Sequence, residues 1–173
     1  MQTPALALSL ALCATAAHAA PAHEHGAARL DVAVEAGRIT LGLEAPLDTL
    51  LGFERAPRTD AERRQADAAL ATLKAADTLF RIDPAAGCRL ASVELVSAAL
   101  KLGAAGPEAD EGHADIDAGF AFDCPNAPRA GFIEVGLFKA FPRLQRLDVQ
   151  VATGQAQLRR TLTPQAARLA LKR

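Results

Sequence analysis

The sequence predicts an α+β fold that is mainly antiparallel β, a sandwich-like sheet system with one amphipathic helix at about residues 59–77. Three observations support this prediction. Many segments alternate apolar and polar residues, which is the period of half-buried strands. Only one segment places apolar residues at helical spacing. The turns that separate the alternating segments contain Gly, Pro or Asn, as expected of hairpins and short connections.

The first two strands form a predicted hairpin. The segment ARLDVAVEAGRITLGLEAP alternates on both sides of Glu35-Ala36-Gly37, so we expect strands at residues 28–35 and 38–45. Pro46 ends the second strand. The next segment, LDTLLGFERAP, predicts an irregular or short helical link.

The helix begins with a predicted capping box. Thr59 is the expected N-cap, and Glu62 stands three residues later, where its side chain can return to the Thr59 backbone. Leu70 and Leu73, with neighbouring alanines, give this helix a thin apolar stripe for packing against a core.

The rest of the chain consists mainly of strand-like segments. Thr153-Gly154 marks the turn of a second hairpin between the last two of them. We expect strands at residues 78–82, 89–102, 114–124, 131–138, 146–152 and 156–162.

The first residues have the features of an export signal. Residues 5–17 form an uncharged apolar run too short to span a bilayer, followed by Ala17-His18-Ala19, a small-x-small cleavage pattern. The preceding MQTP lacks the usual Lys or Arg. From the apolar run and the cleavage pattern we nevertheless expect a signal peptide over residues 1–19. The rest of the chain, residues 20–173, is expected to form a single β-rich domain without a membrane span.

The charge of the chain disfavours several partners, and its cysteines predict a disulfide. The net charge is −1 and the 19 Lys and Arg residues are scattered, which disfavours nucleic acid and anionic membranes as partners. Cleavage would leave Cys88 and Cys124, which are not in a CxxC pattern. In an oxidising compartment they predict a disulfide that stabilises the fold by roughly 3.8 kcal/mol in the chain-entropy model.

No common catalytic motif is present. The sequence contains no HExxH, P-loop, nucleophile elbow or dinucleotide fingerprint. Asp115 and Asp117 could act as a catalytic acid-base pair, but same-face carboxylates at a strand end are more often solvated or bound to a metal. We expect that the protein is not an enzyme.

The histidines suggest a metal site. His23 and His25 form an H-x-H pair, and His113 leads a predicted strand in which Asp115 and Asp117 face the same side. A tetrahedral Zn²⁺ could bind His23, His25 and His113 with Asp115 as the preferred oxygen donor. The alternative is that these side chains are simply solvated.

Acidic side chains also surround the PLDTLLGFE segment. They are Glu44, Asp48 and Glu54. The simplest interpretation is structural, with the carboxylates making turn and capping contacts that hold an irregular connection.

Longer segments resemble a known family. HEHGAARLDVAVEAGRITLGLEAPLDTLLGFERAPRTDAERRQ, FDCPN and FKAFPRLQRLDVQV are similar to the ZrgA-like family of zinc-regulated, zinc-binding periplasmic proteins. The resemblance implies a periplasmic protein that binds Zn²⁺ and works with an ABC-type zinc importer. It also implies that His23 and His25 in the HxHG motif are zinc ligands, and it extends less directly to His113.

Two features depart from the family pattern. Residues 103–112 contain acids but no histidine, where the family has a histidine-rich loop. Arg55 stands where the family has a histidine, and a guanidinium cannot ligate zinc. Two function classes follow: a protein that captures or buffers zinc, and a non-enzymatic interaction module that has lost tight metal binding.

Overall fold

The computed structural model describes residues 24–103 and 114–172. The mainly antiparallel β architecture that we expected is confirmed. The elements in chain order are β1 (Ala27–Glu35), β2 (Gly37–Pro46), α1 (Leu47–Leu51), α2 (Asp60–Lys74), α3 (Ala76–Leu79), β3 (Phe80–Ile82), β4 (Arg89–Val96), β5 (Asp115–Cys124), β6 (Phe132–Val135), α4 (Leu137–Ala140), β7 (Arg146–Thr153), β8 (Gln157–Leu162) and β9 (Arg168–Ala170).

The strands form two sheets. The larger sheet has six strands in the order β4-β5-β2-β1-β7-β8, and the smaller has the order β3-β6-β9. Every neighbouring pair among these strands is antiparallel except β1 with β7, which is parallel. The order places β2 between β1 and β5, so the end of β2 lies beside the beginnings of both neighbours.

The register specifies which residues lie side by side at that end of the sheet. Arg29 of β1 is opposite Glu44 of β2, and Asp115 of β5 is opposite Pro46 of β2. With two interstrand spacings of about 4.8 Å, the first residues of β1 and β5 are separated by about 10 Å across the sheet. The described residues that precede β1 and β5, residues 24–26 and Ala114, therefore lie at the same end of the sheet as α1.

One hydrophobic core connects the two sheets and α2. Alternate residues of the central strands are fully buried, for example Leu30 and Leu41. Phe80 of the small sheet packs against Phe120 of the large sheet, with ring centroids 5.0 Å apart. Leu73 anchors α2 in the same cluster. The remaining, alternate residues of β1, β2 and β5 face away from this core.

The predicted capping box is confirmed. The Glu62 N–H donates to Thr59 Oγ1 at 3.1 Å, and the Thr59 N–H donates to Glu62 Oε2 at 3.3 Å. The helix ends at Lys74 rather than at residue 77, because Ala75 leaves the helical region with φ −85° and ψ 49°. The change of direction allows α3 to bury Ala76 and Leu79.

Three predicted strands are shorter than expected, two of them because short apolar runs fit a strand or a helix equally well. In the segment 78–82, the first residues are helical and the strand begins at Phe80. In 131–138, the adjacent residues Leu137 and Phe138 are both buried in α4, which strand alternation does not allow. In 89–102, β4 ends at Val96 and a Ser97–Leu102 bridge closes a tight turn.

The predicted disulfide joins Cys88 and Cys124, which are 36 positions apart. It connects the residue before β4 to the last residue of β5, at the end of the sheet opposite the beginning of β5. Within the described ranges, no helix combines the length and apolar character needed to cross a bilayer. The predicted signal peptide, residues 1–19, lies outside the described residues.

Candidate metal site

A tight turn presents His25 in front of β1. The Ala27 N–H donates to the Glu24 carbonyl at 3.1 Å, which closes a four-residue turn. Gly26 occupies its third position with φ 75°, the left-handed conformation that a type II turn requires there. His25 is therefore at the tip of the turn, where its side chain is 76% exposed.

The turn is anchored to the beginning of β7. The Gly26 carbonyl accepts from the N–H groups of Gln145 at 2.7 Å and Arg146 at 3.0 Å. The Arg146 guanidinium also forms two hydrogen bonds with the Glu24 carboxylate, at 2.8 and 2.7 Å. The backbone on both sides of His25 is thus held in place although the imidazole itself is exposed.

Asp48 meets this turn from the first turn of α1. The helix follows β2 without a gap, and Leu47, Leu50 and Leu51 are buried beneath it. Burial of these leucines directs Asp48 away from the core, and one of its carboxylate oxygens contacts Nδ1 of His25. The pair joins two residues that are 23 positions apart.

Glu54 reaches the site from the loop after α1. Gly52, with φ 79°, is the left-handed C-cap that ends the helix. The residues after it place Glu54 Oε1 at 3.7 Å from His25 Nδ1. The loop therefore supplies a second carboxylate on the side of the imidazole that Asp48 also contacts.

The loop is tied to the first turn of α2. The Arg55 guanidinium donates to both oxygens of Glu62, at 2.9 and 2.7 Å, and the Arg58 N–H donates to the same carboxylate at 2.6 Å. These contacts lower the pKa of Glu62 to about 2, with the Arg55 hydrogen bonds as the largest cause. Arg55 thus has a structural partner beside the site, consistent with its inability to ligate a metal.

His25, Asp48 and Glu54 together have the donor types of a divalent metal site. One ligand atom from each residue lies within 4.8 Å of the other two. Ligands at about 2.0–2.2 Å from a tetrahedral Zn²⁺ would be about 3.4 Å apart, so small side-chain rotations would close the three donors around an ion. One imidazole nitrogen and two carboxylate oxygens are ordinary zinc ligands.

The two carboxylates also control protonation of the imidazole. The pKa of His25 is raised, first by its hydrogen bond to Asp48 and then by the negative charges of Asp48 and Glu54. Both carboxylates therefore favour the protonated form of the imidazole. A metal ion has to displace that proton in order to bind Nδ1.

The predicted ligands fall in different parts of the chain. His25 belongs to the cluster, whereas His23 and His113 lie outside the described residues. Asp115 begins β5 opposite Pro46 and is not one of the three clustered residues. Its proposed same-face neighbour, Asp117, has a raised pKa because of partial burial and the charge of Asp115. The assignment of His23, His113 and Asp115 as ligands stays a prediction.

Glu24 and Ala114, which follow His23 and His113 in the sequence, lie close to the cluster. Glu24, which follows His23, directly precedes His25. The carbonyl of Ala114, which follows His113, accepts from the Leu47 N–H at 2.8 Å, one residue before Asp48. Glu24 and Ala114, the sequence neighbours of these histidines, therefore lie at the same end of the sheet.

Sequence reasoning gave the surrounding acids a purely structural role, which is incomplete. Glu44 has a structural partner of another kind, since it pairs with Arg29 across the β1–β2 ladder at 3.5 Å. Asp48 and Glu54 instead face His25. Neither shares a short motif with the histidine, and the quoted HEHG and PLDTLLGFE segments give no local signal that they meet.

The fold and the cluster define a mainly antiparallel β protein with an exposed candidate site for a divalent cation, built from nitrogen and oxygen donors. The chain belongs to the ZrgA family, described as zinc uptake proteins, whose family model matches residues 22–171. The resemblance found in its sequence motifs is therefore confirmed, and its role is related to zinc. A comparison with curated proteins found no match.

Proposed function

We propose that this protein is a periplasmic zinc-binding protein that captures or buffers Zn²⁺ in support of an ABC-type zinc importer, without catalytic activity. The observation that carries the proposal is the convergence of His25, Asp48 and Glu54 at one exposed point. Membership of a zinc uptake family supports Zn²⁺ as the cation of this donor set.

Two features support an extracytoplasmic location. The Cys88–Cys124 disulfide suits an oxidising compartment. The apolar segment at residues 5–17 and the Ala17-His18-Ala19 pattern suit cleavage after residue 19. Intact mass of periplasmic material tests this part of the proposal: a chain starting at Ala20 supports it, and a retained leader contradicts it.

The cluster supplies three donors, one fewer than a closed tetrahedral zinc site. Three protein donors are typical of an open zinc site, and a fourth would close the tetrahedron. We propose that Asp48 and Glu54 bind the ion with His25, and that His23 or His113 provides the fourth donor. Asp115, the oxygen donor expected from the sequence, is the competing assignment.

Exposure of the site suits capture and release rather than permanent storage. The His25 side chain is exposed at the tip of a turn, and Glu54 is 38% exposed. A cation bound there can exchange ligands with a partner protein without unfolding of the core. This accessibility is the property that an accessory protein of an importer needs.

Zinc titration calorimetry on the chain from Ala20 to Arg173 tests the proposal. We expect saturable binding of about one Zn²⁺ per chain at neutral pH, and strong loss of affinity in His25→Ala, Asp48→Asn and Glu54→Gln. Asp123→Asn is the matched control, because Asp123 also pairs with a cation, Arg38 at 3.1 Å, but lies near the far end of β5.

Three further variants identify the remaining ligands. His23→Ala, His113→Ala and Asp115→Asn each remove one predicted donor, and the true fourth ligand is the one whose loss weakens binding. Absence of saturable zinc binding by the wild type would overturn the metal proposal and leave the interaction-module alternative.

A further inference from the structure

We propose that Thr49 is a positioning residue of the cluster: its buried hydroxyl orients Asp48 as a one-oxygen ligand and couples α1 to the turn that carries His25. This inference rests on the proposed function, since it concerns how the same site holds its cation. It adds a residue that neither the HxHG motif nor the donor set identifies.

Thr49 is an unusual residue in its surroundings. Among the described residues, only Thr49 and Ser97 are polar and buried, and Thr49 is 1% exposed. A buried hydroxyl without partners would destabilise the fold, so the burial of Thr49 depends on its hydrogen bonds. The partners of Thr49 are both on the side of α1 that faces the cluster.

The first partner is the backbone next to His25. The Gly26 N–H donates to Thr49 Oγ1 at 3.1 Å. The Gly26 carbonyl is already bonded to Gln145 and Arg146. The Thr49 hydroxyl therefore completes the hydrogen bonding of the residue that sets the conformation of the turn.

The second partner is the carboxylate of Asp48. Thr49 Oγ1 donates to Asp48 Oδ1 at 3.3 Å. A threonine in a helix commonly donates to the carbonyl four residues earlier, but here that residue is Ala45 of β2, outside the helix. The hydroxyl proton is therefore directed to Asp48.

The hydrogen bond from Thr49 and the contact with His25 use different oxygens of Asp48. Oδ1 accepts from Thr49, whereas Oδ2 contacts the imidazole of His25. A cation that replaces the proton between His25 and Asp48 would therefore meet Oδ2 alone. Hydrogen bonds to metal-binding carboxylates commonly orient the ligand and strengthen binding by about 10–100-fold.

The test compares Thr49→Val, which keeps the shape but removes the hydroxyl, with Thr49→Ser, which keeps the hydroxyl. We expect about 10–100-fold weaker zinc binding in Thr49→Val by calorimetry, and recovery in Thr49→Ser to within a few-fold of wild type. The same hydroxyl should affect coordination geometry, which visible absorption of the Co²⁺-loaded protein measures. Thr49→Val should shift or weaken the cobalt bands, because Asp48 is then free to bind through both oxygens.

Thr153→Val is the matched control. The Thr153 hydroxyl accepts from the N–H groups of Gln155 at 3.2 Å and Ala156 at 3.0 Å, in the turn between β7 and β8. It lies at the opposite end of β7 from Arg146 and the His25 turn. We expect lower thermal stability of Thr153→Val with unchanged zinc affinity and an unchanged cobalt spectrum.

The outcomes separate the two proposals. If the wild type binds no zinc, or His25→Ala binds as tightly as wild type, the proposed function fails whatever Thr49 does. If binding requires His25 but Thr49→Val has wild-type affinity and a wild-type cobalt spectrum, the positioning role is overturned. If Thr49→Val does not fold, Thr49→Ala replaces it with the same expectations, because it removes the hydroxyl without placing a second methyl against Asp48.

Discussion

Nδ1 of His25, on the turn before β1, contacts Oδ2 of Asp48, in the first turn of α1. The contact follows from the first hairpin. Because β1 runs antiparallel to β2, the residue before β1 and the residue after β2 are at the same end of the sheet. With Glu54, the pair forms the only group of three potential metal ligands among the described residues. Protonation of His25 therefore affects the candidate metal site directly.

The first prediction concerns pH. The pKa of His25 is raised above 6.5, chiefly by the hydrogen bond to Asp48. The resulting stabilisation is fully present below pH 6.5 and is lost as the pH rises through the folded-state pKa. Zinc competes with the same proton, so affinity should begin to fall already above pH 6.5 as the solution is acidified.

NMR titration of the imidazole resonances measures this effect. In Asp48→Asn the pKa of His25 should move down towards its ordinary value, because the largest cause of the shift is removed. His25→Ala assigns the resonance among the histidines. Superimposable titration curves of wild type and Asp48→Asn would contradict the contact.

The second prediction concerns the Arg55–Glu62 pair. The pKa of Glu62 is lowered to about 2, so its contribution to stability is present above about pH 4.5 and is lost as the pH falls towards 2. Glu62→Gln should remove this part of the acid dependence in chemical unfolding measured from pH 7 to pH 2.

Glutamine is the informative replacement at this position. It retains an oxygen for the capping box but loses the charge that pairs with Arg55. Glu62→Ala removes both interactions and should be less stable than Glu62→Gln at every pH. An acid dependence of Glu62→Gln equal to that of wild type would mean that the Arg55 pair does not persist in solution.

The third prediction concerns Gly52. A residue with a side chain at φ 79° has an unfavourable left-handed conformation, which costs about 1–2 kcal/mol. An added Cβ would also lie 2.8 Å from Nε of Arg143, whose flexible side chain can move aside. We expect Gly52→Ala to lower the free energy of unfolding and, because Glu54 follows two residues later, to weaken zinc binding.

Gly37→Ala is the matched control for Gly52→Ala. Gly37 has φ 83°, and a Cβ there would meet nothing within 4 Å. It should lose a similar amount of stability in denaturant unfolding but keep the zinc affinity of the wild type. Equal affinities of the two variants would show that the conformation at Gly52 does not control the position of Glu54.

The fourth prediction concerns the disulfide. Replacing both Cys88 and Cys124 by Ala should lower the free energy of unfolding by about 3.8 kcal/mol, the loop-closure value for a separation of 36 residues. The zinc affinity should not change, since the bridge lies at the opposite end of β5 from the site. Alkylation of the unreduced chain from Ala20 to Arg173 should find no free thiol, and two free thiols would contradict the bridge.

Much of the secondary structure could be predicted because it depends on nearest neighbours. Alternation at 28–35 and 38–45 specified the first hairpin, and the Thr59 and Glu62 pair specified the beginning of α2. Prediction failed where a short apolar run supports two structures. Leu137 and Phe138 became helical because α4 buries both side chains, which a strand cannot do from one face.

Local sequence patterns were enough to predict the β-rich class and the cysteine pair, and the HEHG and PLDTLLGFE segments were enough to predict the family. The contact of His25 with Asp48 and Glu54 is visible only in the folded chain. Periodicity describes which side a residue faces, whereas contact between distant residues depends on strand register and, here, on the left-handed helix end at Gly52. Those two features bring an exposed imidazole and two carboxylates, each ordinary in its own segment, to one point.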